Sequence, residues 1–193
     1  MFRELLVEKT AAICALKPAQ AMALECHYNQ LVKWNRTLNL TSINSVEEAV
    51  ERHYCEGLFL AAHLPAQDLR IADIGSGAGF PGFPVAVLRE DCIVTLIESH
   101  RRKAVFLQEV SRYLPNIRVL ASRADQVSER FDRAISRAVA YKDLIPVLKK
   151  MANAADLLTG GEAPPAEIGI IFSTPIRLPW GRNRYLRQSI CST

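Results

Sequence analysis

The stretch Asp73-Ile74-Gly75-Ser76-Gly77-Ala78-Gly79-Phe80-Pro81-Gly82 decides how the rest of the chain is read. It follows one short apolar run and precedes another. Its glycines therefore fall where a strand must turn sharply into a helix and where the backbone must come close to a ligand. Outward from this loop, short apolar runs alternate with helical stretches. Strands are predicted at residues 69–74, 93–97, 117–120 and 131–136, with helices at 84–88, 101–113 and 141–155. Such alternation is the pattern of βα units on a parallel sheet, and it puts the loops at the C-terminal ends of the strands, where open α/β sheets bind their ligands.

Before the loop the texture is helical. Phe2, Leu5, Leu6, Ile13 and Leu16 recur at helical spacing until Pro18, and Leu24, Tyr28, Leu31 and Val32 keep one face of a second helix apolar. Ser45, with Glu48 three residues on, forms a capping-box pattern for a third helix reaching about residue 63, and Pro65 closes the segment. The expected organisation is a helical extension at 1–65 packed on an α/β core at 66–193. From Gly160 onward, Pro164-Pro165 reads as a break, 168–172 as a further strand and the remainder as an arginine-bearing segment.

With 193 residues, 49% of them hydrophobic, the chain can bury one domain core plus an appendage. A charged fraction of 23% and a mean hydropathy of +0.04 fit a globular protein. The net charge of +4 is a mild excess that admits a phosphate-bearing partner without requiring one. Basic residues gather at Arg101-Arg102-Lys103, at Arg130, Arg133 and Arg137, and at Arg177, Arg182, Arg184 and Arg187. Each group reads equally as a solvated face or as phosphate contacts. The five cysteines, Cys14, Cys26, Cys55, Cys92 and Cys191, are odd in number and scattered, without Cys-x-x-Cys or zinc spacing. Glu4 and Glu8 stand where a signal peptide would be basic, and no apolar run approaches membrane-spanning length. The expectation is a cytoplasmic monomer with no metal and no membrane attachment.

The glycine loop by itself admits two cofactors, because Gly77-Ala78-Gly79-Phe80-Pro81-Gly82 also satisfies the dinucleotide pattern G-x-G-x-x-G. Two features favour S-adenosylmethionine over a nicotinamide dinucleotide. A carboxylate at Asp73 disfavours a pyrophosphate and suits the ammonium of a methionine moiety. The dinucleotide frame would also begin three residues after Ile74, whereas Gly75-Ser76-Gly77-Ala78-Gly79 fits the turn itself. Glu98, ending the second strand, stands where a carboxylate can accept both ribose hydroxyl protons of an adenosine ligand. Ala124 and Asp125 follow the third strand, where adenine would meet a backbone N–H and a carboxylate. Arg137 ends the fourth strand, and its planar donor fork can clamp a carboxylate, a phosphate or a guanine carbonyl.

Together with Trp34-Asn35, Asn39-Leu40-Thr41, Arg52-His53, Phe106-Leu107, Ser122-Arg123-Ala124, Phe131-Asp132 and Ser136-Arg137-Ala138-Val139-Ala140, the loop resembles the small-subunit ribosomal RNA methyltransferase G family, also called glucose-inhibited division protein B. The motifs span about the first 160 residues in order. The resemblance implies a Rossmann-like, S-adenosylmethionine-dependent methyltransferase fold with an N-terminal helical extension. It implies methyl transfer to N7 of a guanine in 16S rRNA, on free RNA or the small ribosomal subunit. By position, Gly75, Phe80, Ala124, Asp125 and Arg137 look like cofactor contacts, to which the reading of the residues adds Asp73, Gly77 and Glu98. Asn35, Asn39, Arg52 and His53 look like members of a pocket rim or substrate-facing surface, with Arg137 the candidate for orienting either reactant. No general base is expected, because guanine N7 already carries an in-plane lone pair. The departure from the family pattern lies after Gly161, where Glu162-Ala163-Pro164-Pro165 replaces its continuation. The alternatives are a nicotinamide-dependent oxidoreductase and an RNA-binding assembly factor without turnover.

Overall fold

The apolar run ahead of the glycine turn forms β1 (Arg70–Ile74), and its side chains serve two cores at once. Ile71 packs into one buried cluster, while Ala72 and Ile74 pack into another on the opposite face. Val94 and Leu96 of β2 (Ile93–Ile97) divide from Ile97 in the same way. A strand buried on both faces is the mark of a parallel sheet covered by helices on either side. In the computed structural model, which describes residues 1–165 and 169–189, that sheet has seven strands in the order β3-β2-β1-β4-β5-β7-β6. The remaining strands are β3 (Ile117–Leu120), β4 (Phe131–Arg137), β5 (Ala152–Thr159), β6 (Ile176–Arg177) and β7 (Tyr185–Gln188). Strands β1 to β5 pair in parallel, β7 runs antiparallel to β5, and β6 antiparallel to β7. The direction of winding reverses between β1 and β4, and the glycine turn stands at that switch.

Helix α1 (Phe2–Thr10), α2 (Pro18–Leu38), α4 (Glu56–Ala62), α5 (Gly82–Leu88) and α6 (Arg101–Val110) contribute to one cluster. Phe2, Leu6, Leu24, Tyr54 and Leu58 lie in the same core as Ile71, Val94 and Leu96, so the N-terminal helices share the sheet's core. Pro18 opens α2 at a position where a missing N–H costs nothing, and the Gln20 side chain accepts from the Lys17 N–H at 3.0 Å. Asn39, in the left-handed region at φ 47°, ends it. The Ser45 hydroxyl accepts from the Glu48 N–H at 3.1 Å and starts α3 (Val46–Ala49), as the pattern predicted. The reciprocal half of the box is replaced by an ion pair of Glu48 with Arg52. α3 continues through a π-helical stretch, Val50–Cys55, into α4.

The other face is covered by α7 (Tyr141–Met151), whose Leu144, Ile145, Val147, Leu148 and Met151 are buried. Here the sequence reading needs correction. The predicted helix at 141–155 stops at Met151, and Ala152 begins β5. Alanines favour helix locally, but the slot beside β4 imposes strand pairing, from Phe131 opposite Ala152 to Arg137 opposite Leu158. The predicted strand at 168–172 is also absent from the described part of that segment, where only Phe172 bridges to Ser189; Ile168, like Cys191, lies outside the described residues. Among the described residues no helix is long and apolar enough to cross a membrane.

Candidate functional site

Gly75, Gly77 and Gly79 have φ of 72°, 58° and 96°, a run that side-chain-bearing residues adopt only at a cost. The turn is held from every side. Gly75 and Ser76 N–H groups donate to the Ile97 carbonyl, the Gly77 N–H donates to Glu98 Oε2 at 2.9 Å, and the Gly82 N–H donates to Asp73 Oδ2 at 2.9 Å. From α2, His27 Nε2 contacts the Ala78 carbonyl at 3.0 Å and Nδ1 contacts the Tyr54 hydroxyl at 2.8 Å. A carbonyl only accepts, so His27 carries its proton on Nε2 and accepts from Tyr54 through Nδ1. Burial pushes this histidine down to about 3 and keeps it neutral.

Two clefts open over the C-terminal ends of the strands. The first, of about 540 Å³, is bounded by Gly75, Ile97, Ser99 and the segment 122–125, with Val139 and α7 on its far side. Here the walls are mainly the ends of β1 to β3, the region where adenosine was expected. The second, of about 410 Å³, lies over β4 and β5 and is bounded by Thr41, Arg52, His53, Arg137, Thr159 and Arg184 among others. Val139 lines both. Ala138 just before it has φ 60°, a left-handed conformation that costs a non-glycine residue on the order of 1 kcal/mol and turns the chain between the two clefts.

The second cleft is organised by a buried carboxylate. Glu56, 1% exposed, receives Arg184 Nε at 2.8 Å and Nη2 at 2.7 Å, with Arg137 Nη1 at 3.4 Å. Arg137 also donates to the Arg52 carbonyl and to His53 Nδ1, and its guanidinium lies 5.5 Å from the centre of the Phe80 ring. His53 stacks on Phe80 with ring centres 4.4 Å apart. Burial, then the Arg137 charge, push His53 down to about 3.

The expected site residues distribute unevenly over this geometry. Gly75, Ala124 and Asp125 do line the first cleft, Asp125 in an exposed ion pair with Arg123. Gly77 and Glu98 bond to each other beside the turn, and the second oxygen of Glu98 accepts from the His100 N–H at 2.7 Å. Both carboxylate oxygens thus already serve backbone amides, leaving their remaining lone pairs for a ligand. Asp73 is wholly buried beneath the turn rather than presented to the cleft. It pins Gly82, where an added Cβ would stand 2.5 Å from its Oδ2. Its Oδ1 has no partner, and burial pushes the carboxyl up to about 7. Phe80 is buried among aromatic rings, and Arg137 faces the second cleft, not the first.

Arg52 and His53 line the second cleft as expected, whereas Asn35 and Asn39 do not. The Asn35 side chain donates to the Thr41 carbonyl and accepts from the Thr41 N–H, both at 2.9 Å, so it holds the segment that reaches the cleft. Asn39 caps α2. Several arginines of the groups read equally as solvated faces or phosphate contacts bond to the protein's own groups, Arg130 while staying exposed. Arg133 forms a buried two-pronged pair with Asp156 at 2.6 and 2.8 Å, Arg130 holds the Lys150 carbonyl and Asn153, and Arg187 donates to Thr159. Glu56, Arg184 and His27 were missed. Glu56 had a signal, a single carboxylate within the apolar run from Tyr54 to Ala62. Arg184 had none. Among the described residues no group of His, Cys, Asp or Glu is placed to hold a metal ion.

A sheet of this order, with its glycine turn at the switch point, defines a Rossmann-like methyltransferase fold. Solved structures agree. A SAM-dependent methyltransferase from Aquifex aeolicus matches 75% of this chain and 93% of its own with a TM-score of 0.59 at 15% identity. The fibrillarin pre-rRNA processing protein of Methanococcus jannaschii matches 66% and 69% with a TM-score of 0.54 at 18% identity. The pattern that defines rRNA small subunit methyltransferase G matches residues 20–159, and the chain belongs to that family. Its relatives named ribosomal RNA small subunit methyltransferase G include those of Chromobacterium violaceum, 41% identical over 64% of this chain and 60% of that one, and Dictyoglomus thermophilum, 33% identical over 75% and 64%. The relative from Aquifex aeolicus is 35% identical over 71% and 74%. The chain thus spans less than two thirds of the length of the first two.

Proposed function

We propose that this chain transfers the methyl group of S-adenosylmethionine to N7 of a guanine in 16S rRNA, acting as a cytoplasmic monomer on free RNA or the small ribosomal subunit. The observation that carries the reading is the meeting of two clefts at Val139, one beside the glycine turn and one ringed by basic side chains. The turn suits the cofactor. Gly75 leaves its backbone bare at the cleft, and a Cβ there would stand 2.8 Å from Val139 Cγ2. Asp73, buried beneath the turn with Oδ1 unpartnered and its carboxyl pushed up to about 7, favours a cation above it when it ionises, and a cation there would favour that ionisation.

When bound, the cofactor supplies an electrophilic methyl group. Gly75, Ala124 and Asp125 would hold its adenosine side, with Glu98 and Gly77 fixing the turn. Arg52, His53 and Arg137 belong to the base's side. Guanine N7 needs no deprotonation, so the chain's contribution is alignment and exclusion of water. Alignment alone supplies roughly 7–11 kcal/mol in favourable intramolecular reactions. His53, held neutral and hydrogen-bonded at both nitrogens, orders the wall and moves no proton.

Incubation with methyl-labelled S-adenosylmethionine and either intact small subunits or naked 16S rRNA tests the proposal. Label should enter RNA in at least one case. Tight binding of NAD with no affinity for S-adenosylmethionine would sink it.

A further inference from the structure

The hydrogen-bond chain along the second cleft has a fixed direction. Arg137 Nη2 lies 2.7 Å from His53 Nδ1, and a guanidinium has only donors, so Nδ1 accepts. The imidazole is neutral, because burial and the neighbouring guanidinium both oppose a second proton. Its single proton is therefore on Nε2, which donates to Thr41 Oγ1 at 2.9 Å. The Ile43 N–H donates to the same oxygen at 3.1 Å. Both acceptor positions of the Thr41 hydroxyl are thus filled. Among the described residues no acceptor takes its proton, and the side chain lines the cleft.

We propose that the Thr41 hydroxyl is a committed donor in the second cleft and that it selects guanine over adenine by bonding to the base carbonyl O6. The base class rests on the function proposed above. During transfer N7 must keep its lone pair free, so a donor on that edge of the base belongs at the adjacent oxygen. Guanine offers O6 there; adenine offers an amino donor. A hydroxyl with a free lone pair would accommodate either by rotating. Thr41 has none free, so adenine meets donor with donor. Arg137 and His53 are positioning residues in this scheme, acting on the base through the threonine.

The test is equilibrium binding to the full chain of three probes: guanosine 5′-monophosphate, adenosine 5′-monophosphate and 2-aminopurine riboside 5′-monophosphate, which replaces O6 by hydrogen. The wild type and Thr41→Ser should prefer the guanine nucleotide by about tenfold or more. Thr41→Val, with an unchanged thermal unfolding midpoint, should bind the three alike. Should that variant fail to fold, the wild-type preference and the His53 tautomer, read by nitrogen NMR, decide. Equal or absent binding of the three nucleotides by the wild type, a preference retained in Thr41→Val, or a proton on His53 Nδ1 overturns the proposal. A guanine preference without methyl transfer to rRNA would leave it standing and remove the functional reading. Transfer without a guanine preference does the reverse.

Discussion

The two clefts on either side of β4 are built by opposite means. The first has one wall made by a glycine turn and the ends of β1 to β3, from Ile74 to Asp125, and is closed on its far side by Val139 and the start of α7. The second is made of side chains brought from far apart. Arg137 reaches His53 and Glu56, and Arg184 crosses from the C-terminal segment to Glu56, 128 positions earlier. A wall made by a glycine turn is set by conformation and tolerates little change at a few glycines. One made of side chains is set by charge balance, so its failure should appear as lost stability as well as lost binding.

The largest effect is expected at the turn. Gly75→Val adds a branched side chain at φ 72° with its Cβ 2.8 Å from Val139 Cγ2, and should abolish S-adenosylmethionine binding in calorimetry while the circular dichroism spectrum is preserved. Retained affinity would break the assignment of the first cleft.

Next comes Glu56→Ala, which strands Arg184 and Arg137 against a wall that no longer carries their counter-charge. Denaturant unfolding should record a loss of about 3 kcal/mol, with cofactor affinity changed far less than by the glycine variant. Equal damage to both ligands would merge the two clefts into one cooperative unit.

The pH dependence of stability separates the groups further. His27 and His53, both pushed down to about 3, contribute stability that is present above pH 6.5 and lost as pH falls toward 3. Asp73, pushed up to about 7, contributes stability present below about 4 and lost as pH rises through 7. Between about 4 and 6.5 two protons enter the unfolded chain for one held in the folded chain, so stability should rise with pH by roughly 1 kcal/mol per unit from these groups. Asp73→Asn removes the opposing proton and should steepen that rise in denaturant titrations at several pH values. An unchanged slope would mean that Asp73 titrates normally.

The smallest effect is expected at the rim. Arg123→Ala breaks an exposed, solvent-screened pair with Asp125 and should leave the thermal unfolding midpoint nearly unchanged; a clear drop would mean that the rim supports the fold.

The same contrast explains what could be read in advance. The alternation of apolar runs gave β1 to β4 nearly to the residue, because parallel strands buried on both faces need uninterrupted apolar runs, and the glycines marked the turn because few other residues adopt those angles. Strand β5 was hidden by its alanines, whose local preference is helical until β4 and β7 enclose them. Asp73, Asn35 and Asn39 were recognised as significant, but not as supports beneath or beside the clefts, because spacing along the chain does not tell whether a polar side chain faces a ligand or the backbone of its own loop. The partnership of Glu56 with Arg184 was invisible for a plainer reason: the residues lie on segments that meet only once the sheet has formed.

The most direct test of the two-cleft account is nucleoside analysis of 16S rRNA labelled by the wild-type chain from methyl-labelled S-adenosylmethionine. The account predicts that the label is recovered as 7-methylguanosine and that Gly75→Val abolishes it. Label in another nucleoside, or RNA binding without incorporation into either subunits or naked rRNA, would contradict it.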